Sequence, residues 1–301
     1  MAIPYREETV SSSDGYSLNL HVFDVTRPKA AVQCIHGMEE HQDRYNDFAS
    51  FLQENGYAVI TADLRGHGKQ APILSHIADR EGDRLLIGDE EAKLSRIQEL
   101  YPGIPVILFG HSMGTIIARA LLQTRSGAYH KVVLSGYPNP QPAAKAGAVL
   151  CGQIAGVKGK KGHSKLIDNM VLGGFSKAIP GAKTPLDWLS RNEENVRAYE
   201  ADPLCGQPFT LGSYDALFRL ITAIDQPEGY REVQQDLPIL LISGAEDPCT
   251  GGEKGRAASL DRLTRAGFRK IRVETLEGMR HEILNETDKR LVYRKILDFL
   301  E

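Results

Sequence analysis

The chain's 301 residues are 42% hydrophobic and 25% charged, an ordinary globular composition with material for one large domain or two smaller ones. With 36 basic and 39 acidic residues the net charge is −3, which argues against a nucleic-acid partner. No secretory apolar run precedes Arg6, Glu7 and Glu8, and no segment approaches the ~20 apolar residues that span a bilayer. The four cysteines show no CxxC spacing, so the expectation is a soluble, cytoplasmic protein with reduced thiols, no metal and no cofactor.

In chain order, the apolar run at 30–35, bounded by Pro28 and Gly37, fits a buried strand. Similar runs follow at 57–62, 104–109 and 131–135. Helical spacing occupies 45–54, 83–100, where Leu94, Ile97 and Leu100 share a face, and 112–124. Strands alternating with helices predict a mostly parallel sheet covered on both faces.

The alternation stops after Gly136 and resumes with strands at 238–242 and 269–276 and an amphipathic helix at 288–300. Residues 137–235 are too long for a structureless loop in a compact domain. They carry apolar residues including Leu172, Phe175, Trp188, Leu189, Phe209, Leu217, Phe218 and Ile221, and are predicted to form a helical cap over the carboxyl edge of the sheet. Residues 1–136 and 236–301 then form the core. Lys158, Lys160, Lys161 and Lys165 make the first part of the insertion basic: a solvated loop, or a transient contact with an anionic membrane surface or a phosphate head group.

Gly110-His111-Ser112-Met113-Gly114 is a GxSxG motif between a predicted strand and a predicted helix. A serine hydroxyl is a poor nucleophile until a base takes its proton, and the two glycines allow the sharp turn that exposes it. With the chain order Ser, Asp, His, the base is His281, the histidine that follows Ser112 beyond the insertion; His130 and His163 are weaker candidates. The orienting carboxylate is Asp247, just after the 239–242 run, with Glu246 as competitor and a turn-forming Asp-Pro pair as the plain alternative. The backbone N–H groups of Met38 and Met113 are the expected oxyanion hole, and His36 reads as structural.

These residues resemble the monoacylglycerol lipase and lysophospholipase branch of the α/β-hydrolases, also described as serine aminopeptidase-like. The resemblance covers nearly the whole chain. It rests on His36-Gly37-Met38-Glu39-Glu40-His41 with Arg44-Tyr45, on Asp63-Leu64-Arg65-Gly66-His67-Gly68, on the GxSxG motif, on Asp247-Pro248, and on His281-Glu282 with Glu286. Asp187-Trp188-Leu189-Ser190-Arg191, Tyr199 and Asp202-Pro203-Leu204-Cys205 look like bacterial members. The resemblance implies an α/β-hydrolase fold with the cap inserted after the sixth strand, and a small-molecule acyl ester entering beneath a mobile cap. Residues 137–175 match no pattern of the branch, and the sequence is silent on oligomeric state. Cys249 beside the acid is a modifiable thiol or small packing. Two other readings stay open: an aminopeptidase or amidase on the same triad, with Glu193, Glu194 and Glu200 available for a free amine, and a non-catalytic binding homologue.

Overall fold

The computed structural model describes residues 5–301. The first elements are a hairpin, β1 (Arg6–Ser11) and β2 (Ser17–Phe23), turning through Asp14 and Gly15, where Gly15 has φ +84°. Sequence reading did not anticipate this pair, because β1 buries no full face. Next come β3 (Ala31–Ile35), α1 (Asn46–Glu54), β4 (Ala58–Ala62), α2 (Gly82–Leu100), β5 (Val106–His111), α3 (Met113–Arg125) and β6 (Lys131–Ser135). The remainder of the alternation is β7 (Ile239–Gly244), α8 (Gly252–Arg265), β8 (Ile271–Leu276) and α9 (Lys289–Leu300).

The eight strands form one sheet in the order β1-β2-β4-β3-β5-β6-β7-β8. From β4 through β8 every pairing is parallel, and only β1 and β2 run against their neighbours. The central strands β3, β4, β5 and β7 are buried along their whole length, as expected where helices cover both faces. Two apolar clusters result. One, around Leu108, Leu134 and Leu241, packs under α2 and α3; the other, around Phe109, Ile242 and Tyr293, packs under α1 and α9.

Between β6 and β7 the chain forms α4 (Ala144–Lys158), α5 (Lys165–Val171), α6 (Glu193–Ala201) and α7 (Leu211–Ile224). The last of these is buried on nearly all sides and touches both α2 and α3. Ala216 lies against Gly82, where any β-carbon would collide with it, and Gly212 sits against the carbonyl of Ala78. So α7, although it falls inside 137–235, shares the apolar cluster of the sheet. No helix among the described residues is long and apolar enough to cross a membrane.

Candidate active site

β5 runs to His111, two residues beyond its predicted end at Phe109, so Ser112 stands directly between strand and helix. Its backbone is strained, with φ +51° and ψ −119°, a region that costs a residue with a side chain roughly 1–3 kcal/mol. The surroundings hold it there: Ser112 N–H donates to the Ser135 carbonyl at 2.9 Å, and its own carbonyl accepts from Thr115 N–H and Thr115 Oγ1. The glycines are needed for close approach. A β-carbon on Gly110 would lie 2.6 Å from the Gly114 carbonyl oxygen, and one on Gly114 would strike the carbonyl of Ile35. The same constraint applies to Gly37, whose missing side chain leaves room for Ser112 Cβ and Glu40.

His281 lies after β8 and lines one cavity with Ser112, Met38 and Met113. Behind the ring, Asp247 Oδ2 is 2.9 Å from His281 Nδ1, while Asp247 Oδ1 accepts from Cys249 N–H at 2.8 Å. Both side chains are almost completely shielded from solvent. A carboxylate accepting from Nδ1–H fixes the tautomer that leaves Nε2 free to take a proton. Glu246, the competing acid, pairs instead with Arg191 and Arg280. His130 and His163 do not line this cavity.

Electrostatics separates His281 from the other histidines nearby. Burial drives the His36 ring well below its ordinary value, His67 down to about 4 and His111 down to about 3. Burial works against the His281 imidazolium too, but the charges of Asp247, Glu282 and Glu40 overcome it and raise the ring above its ordinary value. Among these four rings, therefore, His281 is the one whose surroundings favour the protonated form. His36 is structural, as expected: its Nε2 accepts from Leu64 N–H at 2.9 Å, so Nδ1 bears the hydrogen that reaches the Gly37 carbonyl at 2.8 Å.

The loop carrying Met38 is braced from below. Glu40 Oε1 accepts from Gly37 N–H at 2.5 Å and from Tyr45 Oη at 2.7 Å. Arg44 grips Glu282, the residue after His281, through two hydrogen bonds of 2.6 and 2.7 Å, and reaches Glu40 at 3.2 Å. Asn195 of α6 completes the cluster by donating to Glu282 at 2.6 Å. Burial raises Glu40; the same burial opposes the Glu282 charge, but Arg44 outweighs it and holds that carboxylate down at about 2. The motif residues Glu40, Arg44 and Glu282 thus tie the Met38 loop to the His281 loop, a coupling that the sequence resemblance marked only as a pattern.

The insertion closes the other side. His281 N–H points to the Trp188 carbonyl at 3.4 Å, the two rings lie 4.8 Å apart, and Glu282 N–H donates to the Leu189 carbonyl at 2.7 Å. Val171, Leu172, Phe175, Trp188, Leu217 and Ile221 line the cavity, whereas Phe209 and Phe218 pack in the apolar interior. Two groups hold side chains close enough to share a cation, His41 with Asp202 and Cys205, and Asp247 with Cys249 and His281. In each, the imidazole already faces a carboxylate, at 2.8 and 2.9 Å. Cys249 is buried, which drives its thiol well above the ordinary range and keeps it protonated. All four cysteines are free and buried.

The family described as serine aminopeptidase, S33, matches residues 26–288. The chain belongs to that family. Within the S33 family it is an α/β-hydrolase of the monoacylglycerol lipase and lysophospholipase branch. The monoacylglycerol lipase of Mycolicibacterium smegmatis is 28% identical, covering 93% of this chain and 92% of that protein. Human monoglyceride lipase is also 28% identical, over 82% of this chain and 75% of its own. A thermostable carboxyl esterase from Bacillus coagulans, solved with glycerol, superposes with a TM-score of 0.90 at 27% identity, covering 99% and 98% of the two chains. Glu193, Glu194 and Glu200, the carboxylates expected for a free-amine substrate, do not line the Ser112 cavity; Glu39, Glu40 and Glu282 do.

Proposed function

We propose that this protein hydrolyses carboxylic esters of the monoacylglycerol and lysophospholipid type through an acyl-enzyme, with Ser112 as nucleophile, His281 as base and Asp247 as the residue that orients the base. Ser112 Oγ attacks the ester carbonyl as His281 Nε2 takes its proton; the amides of Met38 and Met113 receive the negative oxygen; His281 then returns the proton to the departing alcohol. Water repeats the sequence on the acyl-enzyme. The observation that carries this reading is the buried Asp247–His281 pair at 2.9 Å in a cavity shared with a strained serine. The apolar insertion residues suit an acyl chain, and residues 137–235 act as its cap, rooted through α7 in the apolar cluster of the sheet. Covalent labelling by a fluorophosphonate tests the assignment. Ser112→Ala is expected to abolish labelling and nearly all turnover of a p-nitrophenyl ester, and retained turnover rejects the nucleophile.

An ester preference over the aminopeptidase reading is favoured by the cavity's apolar lining. Higher kcat/KM for aminoacyl anilides than for acyl esters would reverse that preference. The same cap offers a membrane contact: Val149, Val157, Leu166 and Met170 are exposed on α4 and α5, next to Lys158, Lys160, Lys161 and Lys165. Exposed apolar side chains beside lysines suit the interface of an anionic bilayer. Co-sedimentation with phosphatidylglycerol vesicles, weaker with phosphatidylcholine and lost in a V157D/M170D double variant, is the expected result.

A further inference from the structure

Glu39 is a side chain in this cavity that the proposed chemistry does not use. It occupies the loop between Met38 and Glu40 with φ +57°, a left-handed conformation unfavourable for a residue with a side chain. Its backbone carbonyl is fully engaged, accepting from Tyr199 Oη at 2.8 Å and from Gly206 N–H at 2.9 Å, so main-chain hydrogen bonds fasten the loop here. The residue is only 8% exposed, lines the Ser112 cavity, and has an Oε1 with no hydrogen-bond partner among the described residues. Burial, with the nearby charge of Asp168, pushes this carboxyl up to about 8, although a hydrogen bond from the Phe209 amide favours its charged form. Asp168 itself is satisfied by Tyr214 Oη at 2.6 Å. A strained backbone and a buried carboxyl with one oxygen unpaired both cost stability, and in a native protein each calls for an explanation.

We infer that Glu39 is a specificity-determining residue that hydrogen-bonds a hydroxyl of the ester substrate, giving the enzyme a preference for esters of polyols over alkyl esters of the same size. This deepens the proposed ester hydrolysis and rests on it. The hydroxyl fits best because it pairs with both forms of the acid: it accepts from the protonated carboxyl and donates to the carboxylate. An ammonium pairs only with the carboxylate, and would be held among Met38, Ile116, Leu172, Leu217 and Ile221, an apolar wall that suits a neutral ligand. A site built to bond a substrate hydroxyl discriminates strongly against the analogue that lacks it, because the analogue leaves the buried group unsatisfied.

The test compares glyceryl monobutyrate with propyl butyrate, which has the same acyl group and a leaving alcohol without the extra hydroxyls, and with alanine propyl ester as a cationic third substrate. Wild-type enzyme is expected to favour the glyceryl ester by at least about tenfold in kcat/KM, the factor that one hydrogen bond supplies. In Glu39→Ala that ratio falls toward one, and Glu39→Gln restores part of it. A ratio taken within one protein cancels any general loss of active enzyme. An unchanged ratio in Glu39→Ala overturns the inference alone. A larger relative loss on alanine propyl ester overturns the hydroxyl assignment in favour of an amine. Turnover of neither butyrate ester by wild-type enzyme sinks the ester reading itself, with this inference.

Discussion

Two residues carry charges or strain that a measurement can isolate. His281 is raised above its ordinary ~6.5 against the opposing effect of burial, through Asp247 first and then Glu282 and Glu40. Only the neutral ring can take the Ser112 proton, so kcat/KM is expected to fall with pH through an apparent pKa above ~6.5. In Asp247→Asn the principal charge that raises the ring is gone: the acidic limb moves to lower pH, and the rate drops by about 10⁴-fold because the tautomer is no longer fixed. An acidic limb that stays in place in that variant would remove Asp247 from the relay. Glu39 makes the second case. Its carboxyl rises from 4.5 to about 8 on folding, so the protonated form is favoured in the native state and its stabilising contribution is lost as pH climbs from about 4.5 through 8. Glu39→Gln cannot ionise. Its stability relative to wild type is therefore expected to grow with pH across that window and to level off above it, measured by urea unfolding at pH 5, 7 and 9; a flat difference would mean the carboxyl is not buried in the native state.

Single elements show what the sequence could and could not disclose. The strand–turn–helix around Ser112 was legible because its requirements are local: a buried apolar run, two glycines at close approaches and a helix with apolar spacing. Conformational strain at Ser112 follows from that geometry, and Ser112→Gly is expected to raise Tm, by about 1 kcal/mol of stability, while abolishing turnover. No such local signal exists for α8, whose buried residues are only Gly255, Ser259 and Leu263, or for β1, which alternates between exposed and half-buried; both were missed for want of an apolar stripe. The Asp14-Gly15 turn was the available cue to the hairpin. Catalytic candidates were legible by motif and chain order, yet the role of Arg44 was not, because its partners lie 4 and 238 residues away. Removing a guanidinium buried between two carboxylates leaves uncompensated charge. Arg44→Ala is expected to destabilise the protein by about 3–5 kcal/mol in urea unfolding, whereas a loss under 1 kcal/mol would mean that Glu40 and Glu282 find other partners.

At the scale of the whole molecule, the insertion and the sheet meet at the loop that bears His281. Glu286, five residues after His281, accepts from three backbone amides: Arg280 at 2.8 Å, Arg191 at 3.0 Å and Asn192 at 3.2 Å. Arg280 returns the contact by donating to the carbonyls of Asp187 and Ser190 at 2.6 and 3.2 Å. One carboxylate therefore fastens the Trp188-bearing segment of the insertion to the His281 segment of the core, and the Trp188 and Leu189 carbonyls close the same seam over His281 and Glu282. If the segment between β6 and β7 moves when substrate enters, this seam must either travel as a unit with His281 or open and misplace it. The bonds to amides on both sides favour travel as a unit, with any hinge lying outside residues 187–192. Glu286→Ala orphans the backbone donors of Arg280 and Arg191, each worth about 1–3 kcal/mol when left unsatisfied, while Asn192 N–H keeps Ser190 Oγ at 3.0 Å. Hydrogen exchange at 187–192 and 280–282 is then expected to accelerate together, with kcat/KM for a p-nitrophenyl ester falling at least tenfold and α1 and α3 keeping their protection. Faster exchange confined to 187–192, with 280–282 and the rate constant unaltered, would instead place the hinge at the seam itself.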